Sequence, residues 1–570
     1  MKMVKSLILG SAAGLLAMGG AQAADLPVKA KAVEYVRICS LYGAGFFYIP
    51  GTDTCIKLGG YLRVDTTFNG SIYDQPAWSG DLGQQNRYRD YFATRSRMAI
   101  TVDTRTATEY GVVRTFGQGD FQFSTLGANT YNPNALNTSL LTTTSGTQIG
   151  GGLVANNANL LDTPGGGYVA VEFVFIQFAG FTFGKSASAY ATPWHGYPGN
   201  NTSFLLGGHD TVTGVNNIQY TAQFGNGVSA TIGLDDPTVF NRTAVYNLAA
   251  PLNTNISVQP GGTPATAFLG ALGTTANSYA GVHAPDIVGN IRVDQAWGLF
   301  QISAAAHEVS GSYNGLGLSG LPSVSVIGVT PLGASEPSGH PTTKWGGSVM
   351  AALQIKNIPT GAGDDFKIDA SYAKGDTKNV ISTSAASPNF AMFSGTGRAG
   401  AYQSVGFGVA TDAMWLPVGV GGAAFGTASG LGDGNLHLTT AYGIRGAFNH
   451  NWDPYWSTSV FGSASAVRYD QYTKDIYCGI YTASAATGGA AGKSADYTCN
   501  PDYNVYMAGI VTRWTPVKNL TFSAEVLYFR LDQKFTGASV LANMPPKPNN
   551  VYEYKDQDTV SLNVRVQRNF

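Results

Sequence analysis

The chain has few charged residues and, after its first two dozen residues, no long apolar run. Charged side chains make up 12% of the sequence, about half of ordinary usage. No stretch beyond residue 23 reaches the roughly 18 consecutive apolar residues that a membrane-spanning helix needs, and this excludes a helical membrane protein. Acidic and basic residues are nearly balanced, 35 against 34, so nucleic acid is not an expected partner.

The sequence also lacks the short motifs of common enzymes. Gly-Lys-Ser occurs twice, at 184–186 and 492–494. A phosphate-binding loop also needs a glycine five positions before the glycine of this triplet, and that position holds Ala179 in one case and Thr487 in the other. The seven histidines show no HExxH spacing, and no GxSxG motif is present. We therefore expect no enzymatic activity, no metal centre and no cofactor. Paired carboxylates, such as Asp235–Asp236 and Asp364–Asp365, are interpreted as ordinary surface acids. Calcium binding by such pairs on an exposed loop is the alternative.

Only four cysteines occur: Cys39, Cys55, Cys478 and Cys499. They lack the CxxC spacing of metal and redox sites, and four cysteines allow three disulfide connectivities. We expect the pairs Cys39–Cys55 and Cys478–Cys499, because each closes a short loop.

The first 23 residues have the pattern of a secretory signal peptide. Lys2 and Lys5 precede a short apolar stretch, and Ala21-Gln22-Ala23 fits a cleavage site. The rest of the chain is rich in glycine (73 residues) and in aromatic residues (12%), with a mean hydropathy of −0.02. This composition is typical of a secreted soluble β protein and equally of a transmembrane β-barrel, in which lipid-facing and water-facing residues alternate.

The end of the chain favours the barrel. Val560, Leu562, Val564 and Val566 alternate with polar residues over about ten positions, which is the length of a tilted membrane strand. The segment ends at Phe570, as closing strands of outer-membrane barrels usually do. Similar alternation recurs in other segments, where the polar positions include Arg63, Asp65, Arg95 and Arg97.

Short and long connections also alternate along the chain. Short turns separate long polar stretches at about 120–166, 236–285, 309–343, 376–434, 470–502 and 532–556, as in an up-and-down barrel with short periplasmic turns and long extracellular loops. Under that rule we predict sixteen strands within 55–570, after a leading segment at 24–54. Fourteen or eighteen strands remain possible, because the region 400–440 could contain another hairpin. The predicted strands begin near Cys55, Tyr91, Glu109, Gly167, Phe181, Val215, Gly227, Pro285, Gly298, Lys344, Phe366, Asn435, Tyr455, Tyr503, Asn519 and Gln557.

Both ends of the sequence resemble the general porins of alphaproteobacteria. The similar segments are Glu34 to Cys39, Tyr42 to Thr52 with Cys55, and the terminal Gln567-Arg568-Asn569-Phe570. The resemblance implies a sixteen-stranded barrel, a homotrimer, passive diffusion of small solutes, and a third long loop folded into the lumen. By our strand count that loop runs from about Ala187 to Gly214.

These predictions give a candidate pore constriction. We expect Arg95 and Arg97, with Arg63 and Arg114 as weaker candidates, to form a basic wall opposite the third loop, and such a wall sets up a transverse field. Asp210 is the only acid of that loop. Glu172 is a further lumen candidate. The strand at 167–178 does not alternate cleanly, so it either contains a bulge or lies at the trimer interface. A belt of interfacial aromatic residues is predicted at the short-turn end: Trp452, Tyr455, Trp456, Trp514 and Phe570.

The sequence thus predicts an outer-membrane porin, a water-filled channel for small hydrophilic solutes and ions. Its expected partners are two further copies of itself, outer-membrane lipid and lipopolysaccharide, and the barrel-assembly machinery, which would engage the C-terminal strand. A substrate-specific channel and a secreted or surface adhesive β protein remain the alternatives.

Overall fold

The structure, a computed structural model, describes residues 37–70, 91–124, 168–200, 205–209, 214–238, 243–248, 278–314, 336–381, 390–419, 432–483, 488–541 and 548–570. Sixteen antiparallel strands form the wall of a barrel, each pairing with its neighbours in sequence, and the last strand pairs with the first to close it. The strands are β1 (Thr54–Phe68), β2 (Phe92–Thr108), β3 (Gly111–Ser124), β4 (Tyr168–Phe178), β5 (Phe181–Ser186), β6 (Val215–Gly225), β7 (Val228–Asp235), β8 (Asp286–Gln295), β9 (Gly298–Val309), β10 (Lys344–Lys356), β11 (Asp365–Lys374), β12 (Thr440–Asn451), β13 (Trp456–Arg468), β14 (Tyr503–Val517), β15 (Leu520–Gln533) and β16 (Gln557–Asn569).

The predicted strand count of sixteen is confirmed. Every predicted start lies within five residues of an observed one, the largest difference being Asn435 against Thr440. Agreement is close because the hydrophobic period of two is a local signal. None of the helices in the described part of the chain is long and apolar enough to span a bilayer.

The apolar face of the wall points outward. In β1, Leu62 and Val64 are 52% and 55% exposed, whereas the next residue, Asp65, is 1% exposed. The same division holds in β16, where Val564 is exposed and Asn563 and Arg565 are buried. A soluble sheet would pack its apolar face and leave its charges outside. The barrel is therefore inverted, with polar side chains lining its interior.

Turns at one end of the barrel are tight. Ala179–Gly180 joins β4 to β5, and Asn226–Gly227 joins β6 to β7, with positive φ at all four residues. Asparagine and glycine with positive φ are typical of two-residue hairpin turns that match the twist of the strands. We call this the short-turn end and the opposite one the long-loop end. Five of the long loops are used below: L3 (187–214), L4 (236–285), L6 (375–439), L7 (469–502) and L8 (534–556).

Long loops build a folded cap over the barrel. One four-stranded sheet combines two strands of L6 with two of L8, and a three-stranded sheet combines L4 with L6. The possible extra hairpin at 400–440 therefore exists as strands, but these belong to the cap and not to the wall. The cap strands are Phe390–Ser394, Gln403–Gly408, Ala538–Leu541 and Asn550–Tyr554 in the first sheet, and Ala244–Asn247, Thr411–Trp415 and His437–Leu438 in the second.

Aromatic side chains form the core of the cap. Phe407 of L6 packs against Phe535 of L8 with ring centroids 4.7 Å apart, and Tyr481 of L7 lies against both rings. Tyr481 belongs to the helix Gln471–Ala483, which buries its apolar side here. Because these rings come from three loops, the loops stabilise one another as a small domain would.

Both expected disulfides are present. Cys478–Cys499 ties the helix of L7 to the following segment at a Cα separation of 5.6 Å, and Cys39–Cys55 joins the leading segment to β1 at 6.0 Å. A two-residue strand, Phe47–Tyr48, also pairs with the first residues of β1. The first strand of the wall meets the C-terminal residue nearby, since Phe570 and Gly60 exchange backbone hydrogen bonds of 3.1 and 3.2 Å.

Candidate pore constriction

L3 leaves the wall between β5 and β6 and crosses the lumen. Near its start, the carbonyl of Ala191 accepts a hydrogen bond from Gln301 of β9 at 2.8 Å. Farther along, Asn200 Nδ2 donates to Asn563 Oδ1 of β16 at 2.9 Å, and Ser523 of β15 donates to Asn200 Oδ1 at 2.9 Å. The loop therefore contacts opposite parts of the wall, and the predicted insertion of the third loop is observed.

An ion pair fixes the middle of L3 to the wall. Arg445 of β12 and Asp369 of β11 are both fully buried, with Nε and Oδ1 3.1 Å apart. The Arg445 guanidinium also donates to the carbonyls of Leu205 and His209, at 3.3 and 3.1 Å, and Tyr197 Oη donates to Asp369. Because the buried charges are paired and hydrogen-bonded on several sides, they hold the loop in one path.

Four arginines line the wall formed by β16, β1 and β2. Arg95 donates to Asp65 across the β1–β2 ladder, with Nη2 to Oδ2 at 2.9 Å, and Arg565 Nε lies 3.4 Å from the same carboxylate. Arg63 donates to Gln567 at 2.8 Å and lies over the ring of Tyr61. These residues face inward because they occupy alternate positions with the lipid-facing valines and leucines.

Arg97, the fourth arginine, connects this wall to β3 and β4. Its guanidinium donates to Asp120 Oδ2 at 2.8 Å and to Gln122 Oε1 at 2.6 Å, and it lies 3.8 Å from Glu172 Oε1. We use the name arginine cluster for Arg63, Arg95, Arg97 and Arg565 with Asp65, Asp120 and Glu172.

A β-bulge explains why Glu172 reaches the lumen. The β3–β4 register shifts between Gln118 and Gly119, which pair with Phe173 and Val171 and leave Glu172 as the extra residue. A bulged residue lets two consecutive side chains point to the same face. Of the two explanations for the irregular pattern at 167–178, the bulge is observed.

Among the described candidates, Arg114 does not join the cluster. Arg114 faces the lumen, but it pairs with Asp103 at 3.0 Å and lies six residues from Asp120 along β3, a distance of about 20 Å on a strand. Arg114 therefore lines the lumen at the short-turn end, and a role in the constriction stays a prediction. Asp210 lies outside the residues that the structure describes.

Comparison with known proteins decides the family. The porin subfamily model matches residues 25–563. The chain belongs to this family. As a porin it is a multi-pass protein of a bacterial outer membrane, in agreement with the outward apolar face of its barrel.

Two Brucella porins are among its relatives. Porin Omp2b of Brucella canis is 31% identical over 303 residues, which cover 52% of this chain and 63% of the relative. Porin Omp2b of Brucella suis biovar 1 is 35% identical over 240 residues, covering 41% of this chain and 54% of the relative. The match thus spans less than two thirds of the length of these relatives.

Solved structures of similar shape are more distant. The outer membrane channel DcaP of Acinetobacter baumannii covers 92% of this porin and 99% of its own chain, with a TM-score of 0.49 and 12% identity. OprB of Pseudomonas putida gives a TM-score of 0.43 at 8% identity.

The aromatic residues predicted for the membrane interface lie together at the short-turn end of the porin. Trp456 and Trp514 are stacked across the β13–β14 ladder with ring centroids 5.9 Å apart, and Trp452 packs edge-on against His450. Trp452, Tyr455 and Phe570 are each more than half exposed, as side chains in contact with lipid headgroups would be. Their interfacial role stays a prediction.

The preferred interpretation of the two aspartate pairs as surface acids is wrong for Asp364. This side chain is buried in the β10–β11 turn, where it accepts hydrogen bonds from the Asn451 amide at 2.8 Å and from Thr360 at 2.6 Å. Burial alone would raise the pKa of Asp364, but these bonds and that with His450 lower it to about 2. Asp235 is also buried.

Sequence reasoning left several site residues unassigned. Arg565 was on the polar face of the closing strand, and this periodicity could have identified it as a lumen residue. Asp369 and Arg445 occupy inward positions of β11 and β12, but nothing in the sequence indicates that L3 would pack against them. Their pairing depends on the path of the loop, which is a property of the whole barrel.

Proposed function

We propose that this porin forms a homotrimeric, water-filled channel through which small hydrophilic solutes and ions diffuse. The observation that carries the proposal is the inverted barrel with L3 across its lumen, beside a wall of inward-facing arginines. Sixteen strands leave an aqueous interior, and a loop fixed inside it narrows the passage without a moving part.

The arginine cluster gives the passage a weak preference for anions. Four guanidinium groups face three carboxylates, and each carboxylate lies within 4 Å of at least one guanidinium. Within the arginine cluster the remaining positive charge is about one elementary charge. Rings of like charge select permeating ions, so chloride should pass somewhat more easily than potassium.

The trimer is supported by the shortness of β5. This strand has six residues, whereas a strand that spans the hydrocarbon layer needs about nine to eleven. Its outward side chains, Phe181 and Phe183, form a cluster with Tyr220 of β6. The wall is therefore short at β5, and a second subunit packed there would shield this part of the barrel from lipid. The short strand thus supports contact between protomers at β5.

Contacts with the membrane and with the assembly machinery complete the proposal. The exposed aromatic side chains at the short-turn end would lie at lipid headgroups, and the opposite end would meet lipopolysaccharide. The exposed Phe570 at the end of β16 offers a recognition point for the barrel-assembly machinery during insertion.

Conductance of the purified protein in planar bilayers tests the proposal. We expect channels that open without ligand, in steps of three, and a reversal potential in a KCl gradient shifted toward that of chloride. An Arg63→Gln, Arg95→Gln and Arg97→Gln variant should move the reversal potential toward potassium, while Lys356→Gln, at the short-turn end of β10, should leave it nearly unchanged. Folded protein without conductance would contradict the channel.

A further inference from the structure

Three phenylalanine rings face the water of the lumen on β3 and β4. Phe116 and Phe175 are cross-strand partners and stack with centroids 5.3 Å apart at an interplanar angle of 27°. The bulge at Glu172 turns Phe173 to the same side, where it pairs with Gln118. We call Phe116, Phe173 and Phe175 the aromatic ledge. Exposing apolar rings to water is unfavourable, so a ligand that covers these rings would be stabilised by burying their surface.

Neutral amide groups surround the ledge. Gln118, Gln177 and Gln219 line the same cavity, of about 370 Å³, below His195 of L3. Gln177 Nε2 donates to Thr182 at 3.1 Å, which leaves the amide oriented toward the lumen face of β4 and β5. Amides both donate and accept hydrogen bonds, so they suit a ligand that carries many hydroxyl groups.

The charges beside the ledge are already paired. The Arg114 guanidinium lies 5.4 and 5.5 Å from the centroids of Phe116 and Phe175, and it is hydrogen-bonded to Asp103 at 3.0 Å and to Gln177 at 2.9 Å. An anion would have to compete with Asp103 for this guanidinium. The surroundings therefore favour a neutral solute.

The ledge lies on a path along the wall. Its cavity shares Phe173 and Gln219 with one of about 410 Å³ beside L3, and it shares Gln177 and Thr182 with one of about 490 Å³ at the short-turn end. A solute that passes L3 on this side would meet the rings next and then the mouth.

We propose that the aromatic ledge is a transit binding site for neutral pyranose sugars. The C–H face of the sugar ring would lie on the phenylalanines and its hydroxyl groups would bond to the glutamine amides, as ligand sites combine an apolar floor with a few polar groups. This inference rests on the proposed channel and adds a solute class to it.

The test is a current-block experiment on the full-length trimer in planar bilayers, with KCl as the charge carrier. Glucose and maltose should reduce the ion current in a saturable way. Sorbitol, with hydroxyl groups but no ring, should only lower the current in proportion to viscosity. Benzoate tests the alternative of aromatic acids: a saturable block by benzoate and not by sugars would overturn the proposal.

Variants separate stacking from general disruption. Phe175→Leu keeps an apolar side chain but loses the flat ring, and it should weaken the sugar block about fivefold or more with unchanged KCl conductance. Phe173→Tyr should retain the block, and Phe300→Leu, the same change on the outer face of β9, should leave it as in the wild type. Equal block by sugar and sorbitol, or full block in Phe175→Leu, would refute the site while leaving the channel intact. Absence of any KCl conductance would instead refute the channel.

Discussion

Asp65 and Arg95 lie directly opposite each other on β1 and β2, and Arg95 donates both Nε and Nη2 to the same oxygen of Asp65, at 3.1 and 2.9 Å. The Nε atom of Arg565 approaches that oxygen to 3.4 Å. One buried carboxylate thus contacts two guanidinium groups in the wall that faces L3.

Replacing Asp65 with Asn should increase the preference for anions. The substitution keeps the shape and removes one negative charge, and a unit charge about 10 Å from a passing ion in water is worth about 0.4 kcal/mol, or a factor of about two. The reversal potential in a KCl gradient measures the ratio of chloride to potassium permeability. Asp103→Asn, at the short-turn end, is the matched control and should have a smaller effect. Equal shifts in both variants would show that selectivity is not determined beside L3.

Removing the hydroxyl of Tyr197 should loosen L3. Tyr197 donates to the buried Asp369, and a hydrogen bond to a charged group is worth about 1.5–3 kcal/mol. In Tyr197→Phe we expect the same mean conductance with more frequent brief closures in single-channel records. Tyr442→Phe, which changes an exposed tyrosine on the outside of β12, should give quiet records like the wild type. Quiet records from both variants would contradict an anchoring role for Tyr197.

Loss of the Cys478–Cys499 disulfide should open the cap and spare the channel. The cross-link closes a loop with a sequence separation of 21 residues, which corresponds to about 3 kcal/mol of unfolded-state entropy. With both cysteines changed to serine, limited proteolysis from the long-loop side should cut near the helix Gln471–Ala483, while conductance persists. The matched variant without Cys39–Cys55 should keep the helix protected. If conductance fell together with protection, the cap would be part of the permeation path.

Asp376 should make the cap less stable as the pH rises. Burial raises the pKa of this carboxyl to about 8, and Ser348 and Asn379 donate to its Oδ2 atom at 2.6 and 2.8 Å. Because the folded state holds the proton at a pH where the unfolded chain has lost it, stability falls between about pH 4 and pH 8. Asp376→Asn, which cannot ionise, should reduce this slope in thermal unfolding of the purified protein.

Asp412 is the control for that experiment. Its carboxylate accepts hydrogen bonds from the Thr377 and Thr243 amides, at 2.7 and 2.9 Å, so Asp412→Asn should lower the unfolding temperature at every pH. An unchanged pH slope in Asp376→Asn would show that another group is responsible.

Predictions from the sequence were best where the signal is local. Strand positions, the polar face of β16 and both disulfide pairs agree with the structure, because alternation and short loop closure involve residues near one another in the chain. Arg63, Arg95 and Arg97 were placed in the lumen by the same rule. The cap was not predicted, since its sheets join segments of L4, L6 and L8 that are far apart in sequence.

The sequence by itself determined that the chain alternates as membrane strands do, where those strands begin and, outside the irregular segment 167–178, which side chains share a face. Only the tertiary structure decided which of those side chains meet: that Arg114 lies about 20 Å along the strand from Arg97's partner Asp120, that L3 is fastened by Arg445, and that a bulge turns Phe173 into the lumen. The reason is physical. A period of two follows from the geometry of one strand, whereas meeting in the lumen depends on register, closure and loop path, which arise only when all sixteen strands are paired.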